Sequence, residues 1–209
     1  MLSKTWIPNL SFSLSSVKDT FKFSGYIFLD RMIQIPFNNM YFIVLPKFFA
    51  ANFVGLYFFA DRLNQSIIPL VYKAISNVTY PAMAKVKENS VLLKESYQDI
   101  VSLTSFLIYP LIAYLILFSE SIFLILLPGV WQPAATYFQL LCMILIFRPI
   151  SLINSNILKI LGKAEILLKV NFLKIGISVI ILLFTIKYGI FSVIVGQIIA
   201  SVMNGLIAV

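Results

Sequence analysis

Three arginines stand inside stretches that are otherwise largely apolar: Arg31, Arg62 and Arg148. At the centre of a membrane helix an arginine, lysine or aspartate costs about 2.5–3.5 kcal/mol on insertion scales. Residues kept there at that cost face a bundle interior or a water-filled cavity. Arg31 follows Asp30 and precedes Gln34, Asn38 and Asn39, while Arg62 follows Asp61 and precedes Asn64 and Gln65. Arg31, Gln34 and Asn38 fall at i, i+3 and i+7, as do Arg62, Gln65 and Pro69, so each set shares one helical face. Adjacent residues on a helix diverge. Asp30 with Arg31 and Asp61 with Arg62 are therefore poor pairs, and each calls for a partner on another helix. Asp30 and Asp61 are candidates for ion pairs in a polar cavity that brings their two helices together.

Little else in the sequence could do chemistry. The chain has no histidine, which removes the commonest general base and metal ligand. No Gly-rich phosphate loop or nucleophile elbow occurs. The single cysteine, Cys142, lies in an apolar run and reads as a small packed hydrophobe. Glu88, Glu95 and Asp99 sit among lysines in a solvated connection rather than in a shared pocket. This is not the sequence of a conventional enzyme, and it calls for no metal and no cofactor.

The elements that must position the arginines follow from composition. Of 209 residues, 60% are hydrophobic and 11% charged, against about 45–50% and 25% in soluble domains; mean hydropathy is +0.97. Most of the chain is solvated by lipid. Lipid offers no partner to unpaired backbone groups, so the spans must be helices, and the alternation of a membrane barrel is absent. Windows at 23–45, 53–80, 97–118, 136–158, 165–187 and 189–209 give about six transmembrane helices, a to f. The expected fold is an all-α integral membrane bundle. Pro36, Pro69 and Pro149 fall inside helices a, b and d, where each removes a backbone hydrogen bond and favours a bend.

Charge orients the bundle. The net charge is +8. Lysines cluster before helix a (Lys4, Lys18, Lys22), between b and c (Lys85, Lys87, Lys94) and between d and e (Lys159, Lys163). The other junctions hold Lys47, no cation, and Lys187. Positive loops stay in the cytoplasm, so both ends of the chain are expected there. Spread between apolar runs, the charge implies membrane lipids and no nucleic acid as partners. Lys73, Lys169 and Lys187 sit near helix ends, where they snorkel to headgroups; Lys174 lies deeper. Residues 1–22 read as an interfacial amphipathic lead-in and 23–209 as the six-helix unit. Ser119–Pro133 reads as an outer re-entrant or surface-lying turn. Helix f stops without a polar tail, so the sequence is expected to be part of something longer.

Several runs then carry a resemblance. Gly55-Leu56-Tyr57, Ala60, Arg62-Leu63, Pro69 and Tyr80-Pro81-Ala82-Met83 resemble a characteristic stretch of Wzx-type polysaccharide flippases of the MOP exporter superfamily, in the colanic and teichuronic acid exporter-like branch. Trp6-Ile7-Pro8 with Phe21-Lys22-Phe23, Ser119-Glu120 with Pro128 through Ala135, and Leu161-Gly162-Lys163 are similar to further motifs there. The order covers nearly the whole chain. The resemblance implies the C-terminal lobe of a two-lobed transporter in the bacterial cytoplasmic (inner) membrane, partnered by a missing N-terminal lobe or a second copy. It implies flipping, by alternating access, of a glycan on an undecaprenyl-pyrophosphate-type lipid. Arg31, Arg62 and Arg148 would then meet the anionic head through their bidentate guanidinium forks, with Gln34, Asn38 and Gln65 bonding sugar hydroxyls. A membrane-embedded glycan polymerase or ligase, or a non-transporting assembly subunit, are the competing readings.

Overall fold

The computed structural model describes the chain from Leu14 to Ala208. Among these residues there is helix and turn but no strand. Eight α-helices follow in order: α1 (Leu14–Asn38), α2 (Met40–Phe48), α3 (Ala51–Lys85), α4 (Ser90–Leu126), α5 (Ala134–Ile144), α6 (Arg148–Ile160), α7 (Ala164–Thr185) and α8 (Ile190–Ala208). Single 3-10 turns occupy Gly129–Trp131, Leu145–Phe147 and Ile186–Tyr188. The interfacial lead-in expected for residues 1–22 lies mostly outside the described residues, and its described part from Leu14 is already in α1.

The eight helices map onto the expected spans. Helix a is α1 followed by α2, interrupted at Asn39, whose side-chain amide donates to the Ile35 carbonyl at 2.8 Å. An amide that bonds back to the preceding turn competes with the backbone ladder, three residues after Pro36 has already removed one rung. Helix d is α5 and α6 joined through the 3-10 turn at Leu145–Phe147. There Pro149 cannot donate to the Leu145 carbonyl. That oxygen instead takes the Arg148 N–H and the Tyr72 hydroxyl at 3.2 Å. Proline is not confined to the polar helices: Pro46 lies inside α2 and Pro110 inside the apolar α4.

Among the described residues, four segments are long and apolar enough to cross a membrane: Ser90–Leu126, Ala134–Ile160, Ala164–Tyr188 and Ile190–Ile207. The protein is an all-α, multi-pass integral membrane protein. The segments corresponding to helices a and b fall outside that group because they carry the Asp-Arg pairs and carboxamides noted above. One expectation is corrected. Of the turn expected over Ser119–Pro133, the part through Leu126 belongs to α4, and only the stretch from Leu127, with the 3-10 turn at Gly129–Trp131, lies outside that helix. The Ser119 hydroxyl bonds to the Ile116 carbonyl at 3.2 Å, so this polar residue is absorbed by the helix. Trp131 stacks on Phe59 with ring centroids 4.1 Å apart.

Packing is uneven along the bundle. The main core gathers Leu45, Tyr57, Phe123, Phe138, Ile186 and Ile194, from α2 and the start of α3, the end of α4, α5, and the α7–α8 junction. At the opposite end a smaller cluster joins Met83, Ile100 and Ile153 of α3, α4 and α6. This second end carries Lys85, Lys87, Lys94, Lys159 and Lys163. No α1 residue belongs to either cluster. α1 rests instead on α7, and helix a meets helix b through α2 and α3.

Two turns use glycine for its backbone. Gly162 (φ +71°) closes α6 with Lys163 N–H on the Leu158 carbonyl at 2.8 Å and its own N–H on that of Lys159 at 3.1 Å, a Schellman arrangement. Gly189 (φ 103°, ψ 169°) links the 3-10 turn to α8. That region is open essentially to glycine alone. Gly189→Ala is expected to lose about 1–3 kcal/mol, read as a lower Tm in detergent; an unchanged Tm would show that the turn relaxes freely.

Candidate functional site

The uneven packing leaves a cavity of about 1020 Å³ walled by α1, α2, α3, the α5–α6 bend, α7 and α8. All eight residues singled out from the sequence line it: Asp30, Arg31, Gln34, Asn38, Asp61, Arg62, Gln65 and Arg148. The shared cavity expected for the polar faces of helices a and b is present, and Arg148 joins it. The fold adds the third dimension by setting α1 and α3 across the cavity from one another, with α6 to α8 between them.

The two carboxylates are held in different ways. Asp30 is buried at 4% exposure, and its two oxygens accept from Gln34 Nε2 at 2.8 Å and from Asn171 Nδ2 of α7 at 2.7 Å. A buried carboxylate needs donors to replace water, and these two amides supply them while tying α1 to α7. Asp61 accepts from Gln65 Nε2, one turn along its own helix, at 2.7 Å. The Arg148 guanidinium acts on it at longer range.

The expected cross-helix ion pairs are not made. Among the described residues the salt bridge is Lys169–Glu165, at 2.7 Å on the exposed start of α7. Arg31, Arg62 and Arg148 are exposed to the cavity and their side chains have no hydrogen bond or ion pair within the described residues. Gln34 and Gln65 each spend a donor on the neighbouring carboxylate, which leaves their carbonyl oxygens available. Asn38 is exposed in the same wall.

Five cations and two carboxylates line the cavity, because Lys159 and Lys174 join the arginines. Lys174 Nζ donates to Ser151 Oγ at 2.8 Å, linking α7 to α6. Neither lysine was among the residues first singled out, nor were Asn171, Gln197, Ser201 and Asn204. Their signal is visible afterwards. Arg148, Ser151, Ser155 and Lys159 run down one face of α6, Asn171, Lys174 and Ser178 down one face of α7, and Gln197, Ser201 and Asn204 down one face of α8, each at helical spacing. Gln197 Nε2 donates to the Tyr57 hydroxyl at 2.9 Å, and Asn204 Nδ2 to Ser178 Oγ at 3.1 Å. At the α2 end the cavity is closed by aromatic side chains, with the Phe42 and Phe58 rings 4.9 Å apart.

Chemically this is a polar, net cationic chamber inside an apolar helical bundle. Unpaired guanidiniums offer planar donor forks to an oxyanion, and the surrounding amides and hydroxyls offer both donors and acceptors to a polyol.

Sequence comparison gives this chamber a context. Residues 1–136 match the family described as polysaccharide biosynthesis protein. The chain is 22% identical to the teichuronic acid biosynthesis protein TuaB of Bacillus subtilis, over 78% of this chain and 34% of that protein. It is 24% identical to the lipopolysaccharide biosynthesis protein WzxC of Escherichia coli, over 82% and 35%. An uncharacterized membrane protein in the cps region of Klebsiella pneumoniae is 22% identical over 93% and 40%. The chain thus spans little more than a third of the length of these relatives. No solved structure matches it.

Proposed function

The chain belongs to the polysaccharide biosynthesis protein family, and from that premise we propose that it forms one lobe of a flippase for lipid-linked glycans. In this reading the lysine-rich end faces the cytoplasm, in the bacterial cytoplasmic membrane, with both ends of the chain on that side. Residues 23–209 form the lobe. The missing wall of the cavity comes from an N-terminal lobe or a second copy. The anionic head of an undecaprenyl-pyrophosphate-type carrier sits against Arg31, Arg62 and Arg148. Gln34, Asn38 and Gln65 contact the sugars, and the isoprenoid tail stays in lipid.

What supports this reading is the set of three guanidiniums that line one cavity without a hydrogen bond or ion pair among the described residues. Each costs the bundle stability, so an external anion is the economical account of them. A glue role would pair them internally, which disfavours a purely structural assembly subunit. A polymerase or ligase would need acceptor chemistry outside the membrane, and the connection between α4 and α5 is only a short turn. Alternating access has two bends to work with, at Asn39 and at the 3-10 turn before Pro149. Each weakens the backbone ladder of a helix in the cavity wall.

Single cysteines at Gln65 of α3 and Ser155 of α6, both lining the cavity, test the reading in the assembled transporter. Both are expected to react with a membrane-impermeant maleimide added from the cytoplasmic side, and to be protected by the lipid-linked glycan. Cysteines that stay unlabelled from both sides would mean a dry interior, and the transport reading would fall.

A further inference from the structure

A second cavity, of about 210 Å³, lies farther along α3 towards the lysine-rich end, between α3, α4 and α6. Lys73, Ser76, Asn77, Thr79, Thr104 and Asn156 face into it. Thr104 is 1% exposed, and its buried hydroxyl has no hydrogen-bond partner. A buried polar group left in that state is destabilising unless something outside the protein satisfies it. The Lys73 ammonium and the Asn77 carboxamide also lack a hydrogen bond or ion pair among the described residues. Asn156 Nδ2 donates to Ser76 Oγ at 3.0 Å, pinning α6 to α3 across the cavity floor.

The lining selects for charge. It holds an ammonium, hydroxyls and carboxamides with no carboxylate, a set that favours an anion over a metal cation. The volume is several times that of a water molecule in the liquid, about 30 Å³, so a phosphate with part of its glycerol fits. Depth points the same way. Lys73, Thr104 and Asn156 each lie 22 residues from the far end of their segments, at Ala51, Leu126 and Ala134. At 1.5 Å per residue that is about 33 Å, against a hydrocarbon core of about 30 Å. Three helices thus bring polar groups together at headgroup depth on the lysine-rich side. Basic pockets between helices at that depth suit lipid headgroups.

We infer that the cavity between α3, α4 and α6 binds the phosphate of an anionic phospholipid headgroup on the lysine-rich side of the membrane, through Lys73 and Thr104. The inference rests on the multi-pass membrane fold and is independent of glycan transport. The bound phosphate accepts from Lys73 Nζ and the Thr104 hydroxyl, and the acyl chains leave along the apolar outer faces of α3 and α4. Lys73 is thereby a ligand rather than a lysine that merely snorkels.

Native mass spectrometry of the full chain in detergent, titrated with dioleoylphosphatidylglycerol and with phosphate-free dioleoylglycerol, tests it. Phosphatidylglycerol is expected to bind preferentially, about tenfold more weakly to Lys73→Met and about threefold more weakly to Thr104→Val. The Thr104→Val protein is expected to keep or raise its Tm, because it loses no internal hydrogen bond. Glycerol 1-phosphate distinguishes the source: competition at millimolar concentration shows that the free headgroup suffices, and lack of competition that the lipid is required. An Arg62→Leu/Arg148→Leu protein should bind phosphatidylglycerol as wild type does, which separates this site from the large cavity. Equal affinity for the two lipids, or wild-type affinity in both single variants, would overturn the inference.

Discussion

Replacing Arg62 and Arg148 together with leucine is expected to weaken binding of an undecaprenyl-diphosphate-linked glycan at least 100-fold, while the protein inserts normally and unfolds at the same or a higher temperature. The two halves of this expectation have one cause. A hydrogen bond between an arginine and a phosphate contributes about 1.5–3 kcal/mol, and about 1.4 kcal/mol is tenfold in affinity, so two such contacts reach a hundredfold. In the unliganded bundle neither guanidinium has a hydrogen bond or ion pair to lose among the described residues, and each costs about 2.5–3.5 kcal/mol at the centre of a membrane helix. Leucine removes that cost. Binding is read by titration of the solubilised transporter, and stability by thermal unfolding of the same preparation. A double variant that unfolds much earlier than wild type would instead show the arginines to be interhelical glue, and the proposed role in substrate binding would be abandoned.

The second large effect is expected at a neutral residue. Asn171→Leu removes the donor that α7 offers to the buried Asp30 carboxylate, leaving Gln34 as its hydrogen-bond donor. A lost hydrogen bond to a charged group costs about 1.5–3 kcal/mol, and stranding a buried charge costs about 3–5 kcal/mol. A loss of about 3 kcal/mol is therefore expected, concentrated in α1, since α1 rests on α7 and belongs to neither hydrophobic cluster. Hydrogen exchange should show α1 opening before the rest of the bundle. Restoring neutrality with Asp30→Leu in the Asn171→Leu background should recover part of the loss, giving a coupling in the double-mutant cycle. Purely additive changes would show that the 2.7 Å contact does not hold the wall in place. Because α1 carries Arg31, Gln34 and Asn38 into the cavity, the variant should also bind the anionic glycan poorly, although Asn171 carries no charge.

These two expectations separate what could be read at different levels. The apolar runs and lysine pattern were enough to require a helical membrane bundle, because hydropathy and backbone satisfaction in lipid act on each segment alone. The polar faces of α1 and α3 were legible for the same reason: spacing at i, i+3 and i+7 is a local property. The partners of those faces were not. Asp30 was expected to find a cation on another helix and found the amide of Asn171, and the packing of α1 on α7 had no local signature. Polar stripes on α7 and α8 were present in the sequence but weak, since single asparagines and serines are inexpensive in a membrane helix and do not stand out as an arginine does.

The sequence by itself determined the solvent, the secondary structure, the sidedness expected from its lysines, and which residues were too costly to face lipid. Tertiary structure decided what they face instead: one chamber gathering cations from four helices, and a smaller pocket around Thr104, which no local pattern marked. The physical reason is that insertion cost is set residue by residue along one helix. A cavity and its net charge exist only between helices, once packing has chosen which of them meet.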